Sequence, residues 1–520
     1  MSWKRSLDEL EKRRHWAEAQ GGAANVKRQH AQGRLTVRER IGGLVDGGSF
    51  QEIGKLTGAE DYDGDTLKHV TPAPYVMGLA EINGRPVAIG GEDFTVRGGT
   101  TARLDKRKGG QSGFVEDLAH QYRIPLVNLI DGAGGSVTSA KNRGHTVFPG
   151  VDSFDRSIDL MGEVPVVCAV LGSAAGGPAG RAILSHWSVM VKDTSQIFAA
   201  GPAVVQRSLG QKLTKEELGG PAVAVDKAGS IDNLADSEEH CFALIQQFLS
   251  YMPQNVWELP PTVACDDPVD RCEDALGAIV PEERRRAYDM RRLIDLIVDT
   301  GSRFDVQPRF GKALITCLAR LDGRVVGIIA NNPMVYGGAM DGPAARKQVR
   351  FIEMCENFHI PLVFLVDVPG FMVGLQAEEA GVLRDGMRAV YVASQATVPV
   401  ITLVIRKCYG MAGMATCHKR GLEYRLAWPS AEWGSLPIEG GVAVAYRREI
   451  AEAPDPKLRE QELEEELRAY SSPMRAAAAF GVEDMLDPRE TRPYLCRLVK
   501  LAQSRLNTDL GPKPKIGVRP

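Results

Sequence analysis

Two short stretches carry glycines where backbone amides can converge: "GSAAGGPAG" at 172–180 and "RKCYGMAGMA" at 406–415. Each follows an apolar, β-branched run and precedes a helical pattern. N–H groups exposed in such a turn, near a helix start, can donate together to a negative oxygen. That is how an oxyanion hole is built, and it needs no acidic or basic side chain. Close packing of a helix on a strand also uses glycine, and for one isolated turn that is the better reading. Two turns in equivalent places bring the oxyanion reading level with it.

Side-chain chemistry has few candidates. There is no GxxxxGK[ST] phosphate loop, no GxGxxG dinucleotide fingerprint and no GxSxG nucleophile elbow. Asp131 and Asp367 each end a strand-like run, "IPLVNLID" and "IPLVFLVD". They could be paired carboxylates for acid–base work or turn-capping residues. Their different sequels, "GAGGS" and "VPGFM", favour capping. The nine histidines show no HExxH spacing, and the nine cysteines form no CxxC; the nearest pair is Cys265 and Cys272. Scattered, odd-numbered thiols fit a reduced core, and no protein-bound metal is expected. The lack of an obvious side-chain catalyst suits chemistry run by backbone donors and a cofactor's own reactivity.

The elements that must position these turns occur twice. "INGRPVAIGGEDFTVRGGT" (82–100) echoes "LDGRVVGIIANNPMVYGGAM" (321–340), and "RIPLVNLIDGAGGS" (123–136) echoes "HIPLVFLVDVPGFM" (359–372). "VPVVCAVLGSAAGG" (164–177) echoes "VPVITLVIRKCYGMAG" (398–413). The offsets Gly84 to Gly323, Asp131 to Asp367 and Pro165 to Pro399 are 239, 236 and 234 residues. Three ordered matches at nearly one offset mean two whole domains of one fold, since the period is far too long for a solenoid. A helical pattern precedes each second echo, at 112–123 and 345–359, as in stacked units with parallel strands. The seam falls in 253–283, which carries five prolines and many acids. The segment "DPKLREQELEEELRAYSSPMRAAAAFG" (455–481) reads as a solvated helix pair.

Length and charge set the outer bounds. The 520 residues suffice for two to four domains. With 63 basic and 66 acidic side chains the net charge is −3, so nothing global favours nucleic acid or an anionic membrane. Apolar runs stop near eight residues, far short of the ~20 that span a bilayer. The start, "MSWKRSLDELEKRRHWAEAQ", is a charged helical stretch without an apolar signal core, so a cytoplasmic protein is expected, or the mature form of an organelle protein.

Several longer motifs are recognisable. "GRLTVRERIGGLVDGGSF" (33–50), "EDFTVRGGT" (92–100), "LTKEELGG" (213–220), "DVPGFMVG" (367–374), "ATVPVITLVIRKCYG" (396–410) and "LDPRETRP" (486–493) resemble the carboxyltransferase (β) subunits of biotin-dependent acyl-CoA carboxylases, the propionyl-, acetyl- and methylcrotonyl-CoA carboxylase family. The resemblance runs from about residue 5 to about residue 500. It implies an α/β fold of two tandem crotonase-like domains, of the ClpP/crotonase superfamily, consistent with the duplication. Residues 1–260 would form an N-terminal domain on the acyl-CoA side and 261–520 a C-terminal domain on the carboxybiotin side. It also implies a homo-hexamer whose active sites lie between the N-domain of one subunit and the C-domain of its neighbour.

The implied mechanism uses both turns. Carboxybiotin gives up CO2, the biotin anion takes the proton α to the thioester, and the enolate attacks CO2. Carried over by motif, Gly176 and Gly177 bind the thioester enolate, while Met411 and Ala412 bind the ureido oxygen, with Gly410 and Met411 as the alternative pair. Ala175, Gly410, Gly413 and Met414 line the substrate. There are departures. The usual "RKAYGGAYD" is "RKCYGMAGM" here, placing Met414 where an Asp stands near the acyl group and implying a more apolar pocket. "DGAGGSVTSA" (131–140) and "KNRGHTVFPGVDSFDR" (141–156) replace the usual segments where substrate or CoA passes. No Ala-Met-Lys-Met biotinylation site, ATP-binding carboxylase region or four-Cys zinc ribbon is present. Biotin must therefore come on a separate biotin carboxylase/biotin carrier (α) subunit. Rival readings are an acyl-CoA decarboxylase subunit, a non-catalytic assembly paralogue, and a crotonase-type hydratase or isomerase. The last lacks an evident pair of glutamates beside the N-domain turn.

Overall fold

Asn83-Gly84 and Asp322-Gly323 show how local chemistry sets up the same unit twice. All four residues have positive φ (51°, 73°, 54° and 73°), the conformation of a tight two-residue hairpin turn. They join Tyr75–Ile82 to Arg85–Glu92 and Leu314–Leu321 to Arg324–Asn331, each pair antiparallel. An aspartate pins each turn. Asp46 accepts from the Asn83 and Gly84 amides at 3.0 and 2.7 Å, and Asp299 from those of Asp322 and Gly323 at the same distances.

A computed structural model describes residues 3–100, 108–134, 141, 144–146, 154–417 and 424–513. The chain divides into two units, Met1–Glu258 and Leu259–Pro520. The N-terminal unit is built on a seven-stranded sheet in the order Gln51–Ile53, Tyr75–Ile82, Arg85–Glu92, Leu126–Ile130, Val166–Val170, Trp187–Val191, Asn233–Ala235. The first two pairings are antiparallel and the rest parallel. The C-terminal unit repeats the scheme with Phe304–Val306, Leu314–Leu321, Arg324–Asn331, Leu362–Val368, Val400–Tyr409, Tyr424–Ala427 and Asp484–Met485.

The parallel strands are runs of Val, Ile and Leu because helices cover both faces and neither face meets water. Leu126–Ile130, Val166–Val170 and Leu362–Val368 are buried at every position. The helices anticipated before the second echo are Phe114–Tyr122 and Gly342–Asn357. Each packs its apolar face on its own unit's core, through Val115, Leu118 and Ala119, and through Val349, Phe351 and Ile352. The charged stretch after residue 454 forms helices Pro456–Arg468 and Pro473–Ala478, in which Leu463 alone is buried. All nine cysteines are free thiols.

Candidate active site

Parallel sheets offer ligands the carboxyl ends of their strands. In the N-terminal unit Val166–Val170 runs on through Leu171 and Gly172 into the short strand Ser173–Ala175. Gly176 follows with φ 61°, and helix Gly177–Ile183 begins. In the C-terminal unit the long strand Val400–Tyr409 reaches Gly410, φ 60°, which opens helix Gly410–Met414. Ser173–Ala175 pairs in parallel with Gln196–Phe198, just as Lys407–Tyr409 pairs with Glu432–Gly434. That common register equates Gly176 with Gly410 and Gly177 with Met411.

The two turns differ in available donors. The first amides of a helix have no intrahelical acceptor. In the N-terminal turn the first is Gly177; Pro178 has no N–H, and the Gly180 amide already donates to the Gly176 carbonyl at 2.8 Å. In the C-terminal turn Gly410, Met411 and Ala412 are the first three. Ala412 is buried, whereas the Met411 and Met414 side chains are each 46% exposed. A cavity of about 240 Å³ lies against this turn, lined by Val404, Cys408, Gly410, Gly413, Met414 and Trp433 among others. Gly413 is held close to the strand: a Cβ there would lie 2.9 Å from Cys408 Sγ.

Beneath each turn lies the echoed aspartate, fully buried. Asp131 accepts from Arg34 Nη1 at 3.1 Å, Arg40 Nη1 at 2.9 Å and Gln29 Nε2 at 3.2 Å. A Cβ on Gly172 would strike its carboxylate. Arg40 in turn donates to the Leu171 carbonyl at 2.8 Å and is ion-paired to Glu238. Asp367 accepts from Tyr288 Oη at 3.0 Å, Arg406 Nε at 3.1 Å and the Lys407 amide at 3.1 Å. Burial pushes the Tyr288 phenol well up, and the Asp367 charge adds to the shift. Burial lowers the Lys407 ammonium against the pull of Asp367. Both carboxylates are therefore buried anchors of the turns, saturated by cations, rather than an acid–base pair. They go beyond the capping role their position suggested.

A family model described as "Carboxyl transferase domain" matches residues 28–515. The chain belongs to the carboxyltransferase family. It is 36% identical over 510 residues to the propionyl-CoA carboxylase carboxyltransferase subunit of Haloferax mediterranei, covering 97% of each chain. It is 34% identical over 492 residues to the methylmalonyl-CoA decarboxylase subunit alpha of Propionigenium modestum, covering 94% of each. The crystal structure of the transcarboxylase 12S hexamer, with methylmalonyl-coenzyme A bound, superposes with a TM-score of 0.86 at 33% identity, over 99% of this chain and 98% of that one. The paired α/β units are the crotonase-like fold expected of a carboxyltransferase.

Within this carboxyltransferase, Ala175, Gly176 and Gly177 sit together at one turn, and Gly410, Met411, Ala412, Gly413 and Met414 at the other. The segments 135–140 and 147–153, where the motifs depart from their usual form, lie outside the described residues. Among the described residues no group of three or more His, Cys, Asp or Glu could hold a metal ion, and no helix is long and apolar enough to cross a membrane.

Two features escaped the sequence. Gln111 packs its carboxamide on the Gly177 backbone so closely that any Cβ there would strike Oε1. Glu92 and Glu116 are a pair of buried glutamates near the N-terminal turn, contrary to the expectation that none stood there. Both are committed. Glu92 is ion-paired to Arg181 of the turn's helix, and Glu116 accepts from Ser157 Oγ at 2.6 Å. Burial pushes the Glu116 carboxyl up, against the Ser157 hydrogen bond. Both being almost wholly buried, they are not presented to a thioester as a hydratase would require.

Proposed function

We propose that the chain is the carboxyltransferase subunit of a biotin-dependent acyl-CoA carboxylase, placing CO2 on the α carbon of an acyl-CoA through a thioester enolate. One observation carries the reading: the same glycine turn, at the same φ, stands at the end of equivalent strands in both units of a carboxyltransferase-family chain. Passing CO2 between two carriers develops negative charge twice, on a thioester oxygen and on a ureido oxygen. Two sets of backbone donors answer two charges.

Gly176 and Gly177 hold the thioester oxygen, with Ala175 beside it. Met411 holds the ureido oxygen, together with Ala412 or, by the strand register, Gly410. Such donors are fixed before the charge appears, and losing one typically costs ~3 kcal/mol of transition-state stabilisation. Carboxybiotin, brought by a separate biotin carboxylase/biotin carrier subunit, supplies the CO2 and the base for the α proton. The buried Asp131 and Asp367 keep the two turns in place. Residues 1–260 form the acyl-CoA side and 261–520 the carboxybiotin side. Met414 and the apolar cavity beside it favour an acyl group longer than acetyl. The transcarboxylase 12S neighbour is a hexamer, which supports a homo-hexamer of β subunits here, working in the cytoplasm.

A second reading is supported by the decarboxylase subunit among the relatives: the same turns serve the reverse direction. The test is the reverse half-reaction on the purified chain with free biotin and malonyl-, methylmalonyl-, ethylmalonyl- and longer carboxyacyl-CoAs. Biotin-dependent release of the decarboxylated acyl-CoA is the expected result, and the ranking reads out the acyl pocket. No turnover with any thioester would favour a non-catalytic assembly paralogue.

A further inference from the structure

In the N-terminal unit, three adjacent parallel strands end side by side: Arg85–Glu92, Leu126–Ile130 and Val166–Val170. Their outgoing loops touch in order. The Ala133 amide donates to the Gly98 carbonyl at 3.1 Å, and a Cβ on Gly134 would lie 3.6 Å from Gly176 Cα. Gly98 is thus on the order of 10 Å from the turn that holds the thioester. Beside Gly98 is a cavity of about 240 Å³ lined by Asn25, Arg28, Arg34, Phe94 and Arg97. The Arg34 charge is committed to Asp131. Neither Arg28 nor Arg97 is paired with an acidic side chain among the described residues.

Arg97 is also held in an unusual conformation. Its φ is 53°, the left-handed region that a long side chain enters only when its surroundings impose it. The duplication explains the backbone: Tyr336, the equivalent residue of "VYGG", has φ 51°. The fold therefore imposes the strain in both units, but the side chain differs. Where an anionic acyl-CoA is to lie, the strained position carries a guanidinium. Where the biotin ring system is to lie, it carries a phenol, 62% exposed.

We propose that Arg28 and Arg97 form a phosphate-binding site for the nucleotide end of the acyl-CoA. The proposal rests on the assignment of the N-terminal turn to the thioester. Guanidinium groups match phosphate oxygens with paired N–H donors and keep their charge at any working pH. Strand-end loops are where such ligands lie on parallel sheets. The site acts on affinity and leaves the chemistry at Gly176 and Gly177 untouched.

The test uses the full chain and three variants: Arg97→Tyr, which the same backbone already accepts at Tyr336, Arg97→Lys and Arg28→Gln. CoA binding is measured by calorimetry, and turnover with methylmalonyl-CoA is compared with turnover of methylmalonyl-pantetheine, which has no phosphate. Arg97→Tyr and Arg28→Gln should each raise the CoA Kd and the KM for methylmalonyl-CoA about tenfold or more, the worth of one charge-assisted contact. Arg97→Lys should stay within a few-fold of the parent. The parent's CoA affinity should fall more steeply with salt than that of Arg97→Tyr. With the pantetheine thioester the difference between parent and Arg97→Tyr should vanish. An unchanged CoA Kd in Arg97→Tyr overturns the site, as does an equal KM rise with both thioesters. A chain that loses CoA affinity in the variant yet turns over neither thioester keeps the site and refutes the reaction assignment.

Discussion

The two turns are matched in backbone and unlike in support. In the N-terminal unit the cations that neutralise the buried aspartate, Arg34 and Arg40, lie about 90 residues earlier in the chain, in a segment outside the sheet. In the C-terminal unit they are Arg406 and Lys407, part of the very strand that becomes the turn. One turn is therefore held from outside, the other from within. Duplication preserved one geometry, glycine at φ near 60° after a parallel strand, and left the scaffolding free to diverge. The donor sets diverged as well, with Pro178 removing an amide that Ala412 retains.

Breaking the anchors should have the largest effect. Asp131→Ala leaves Arg34 without its ion pair and Arg40 with Glu238 alone, and should cost about 3–5 kcal/mol of stability in denaturant unfolding. Asp367→Ala should cost a similar amount. It should also depress biotin-dependent turnover in protein that remains folded, because Arg406 and Lys407 belong to the turn itself. Equal effects on stability and turnover in both variants would erase the distinction between outside and inside support.

The glycine conformations give a sharper, smaller comparison. A Cβ added at Gly176 would meet only Gly134 Cα, at 3.9 Å, and one at Gly410 would press on the Ser435 carbonyl at 3.3 Å, which a shift of a few tenths of an ångström relieves. Gly176→Ala and Gly410→Ala should therefore suffer mainly the cost of a left-handed alanine, about 1–2 kcal/mol each, and similar losses of turnover. A large inequality between them would mean that the turns are equivalent in shape but not in use. The smallest expected effect lies at the cavity. Met414→Asp should shift the preference between long and short carboxyacyl-CoAs towards the short ones by roughly tenfold. An unchanged ranking would remove Met414 from the pocket.

Much of this architecture is legible in the sequence itself. The echoes located the paired sheets, the helix before each second echo strand, and both glycine turns, because strands, hairpins and turns are written in contiguous residues. What stayed hidden depends on contacts across long separations. Nothing near Asp131 announces Arg34 or Arg40, and nothing near Asp367 announces Tyr288, 79 residues away. The same holds for Gln111 against Gly177, which two helices and three strands separate among the described residues. The strain at Arg97 is invisible for another reason: "VRGG" looks like an ordinary turn, and only the shared φ of Arg97 and Tyr336 identifies the conformation as imposed by the fold.

On the proposed function, each turn supplies an amide to a different oxyanion. Its most direct test compares Gly177→Pro with Gly177→Ala, and Met411→Pro with Met411→Ala, in biotin-dependent decarboxylation of the preferred carboxyacyl-CoA by the assembled protein. Within each pair both variants add or keep a side-chain carbon, and only proline removes the N–H. Each proline variant should fall about 10²–10³-fold below its alanine partner in kcat, while the assembly persists. Proline and alanine variants of equal activity at either turn would contradict it.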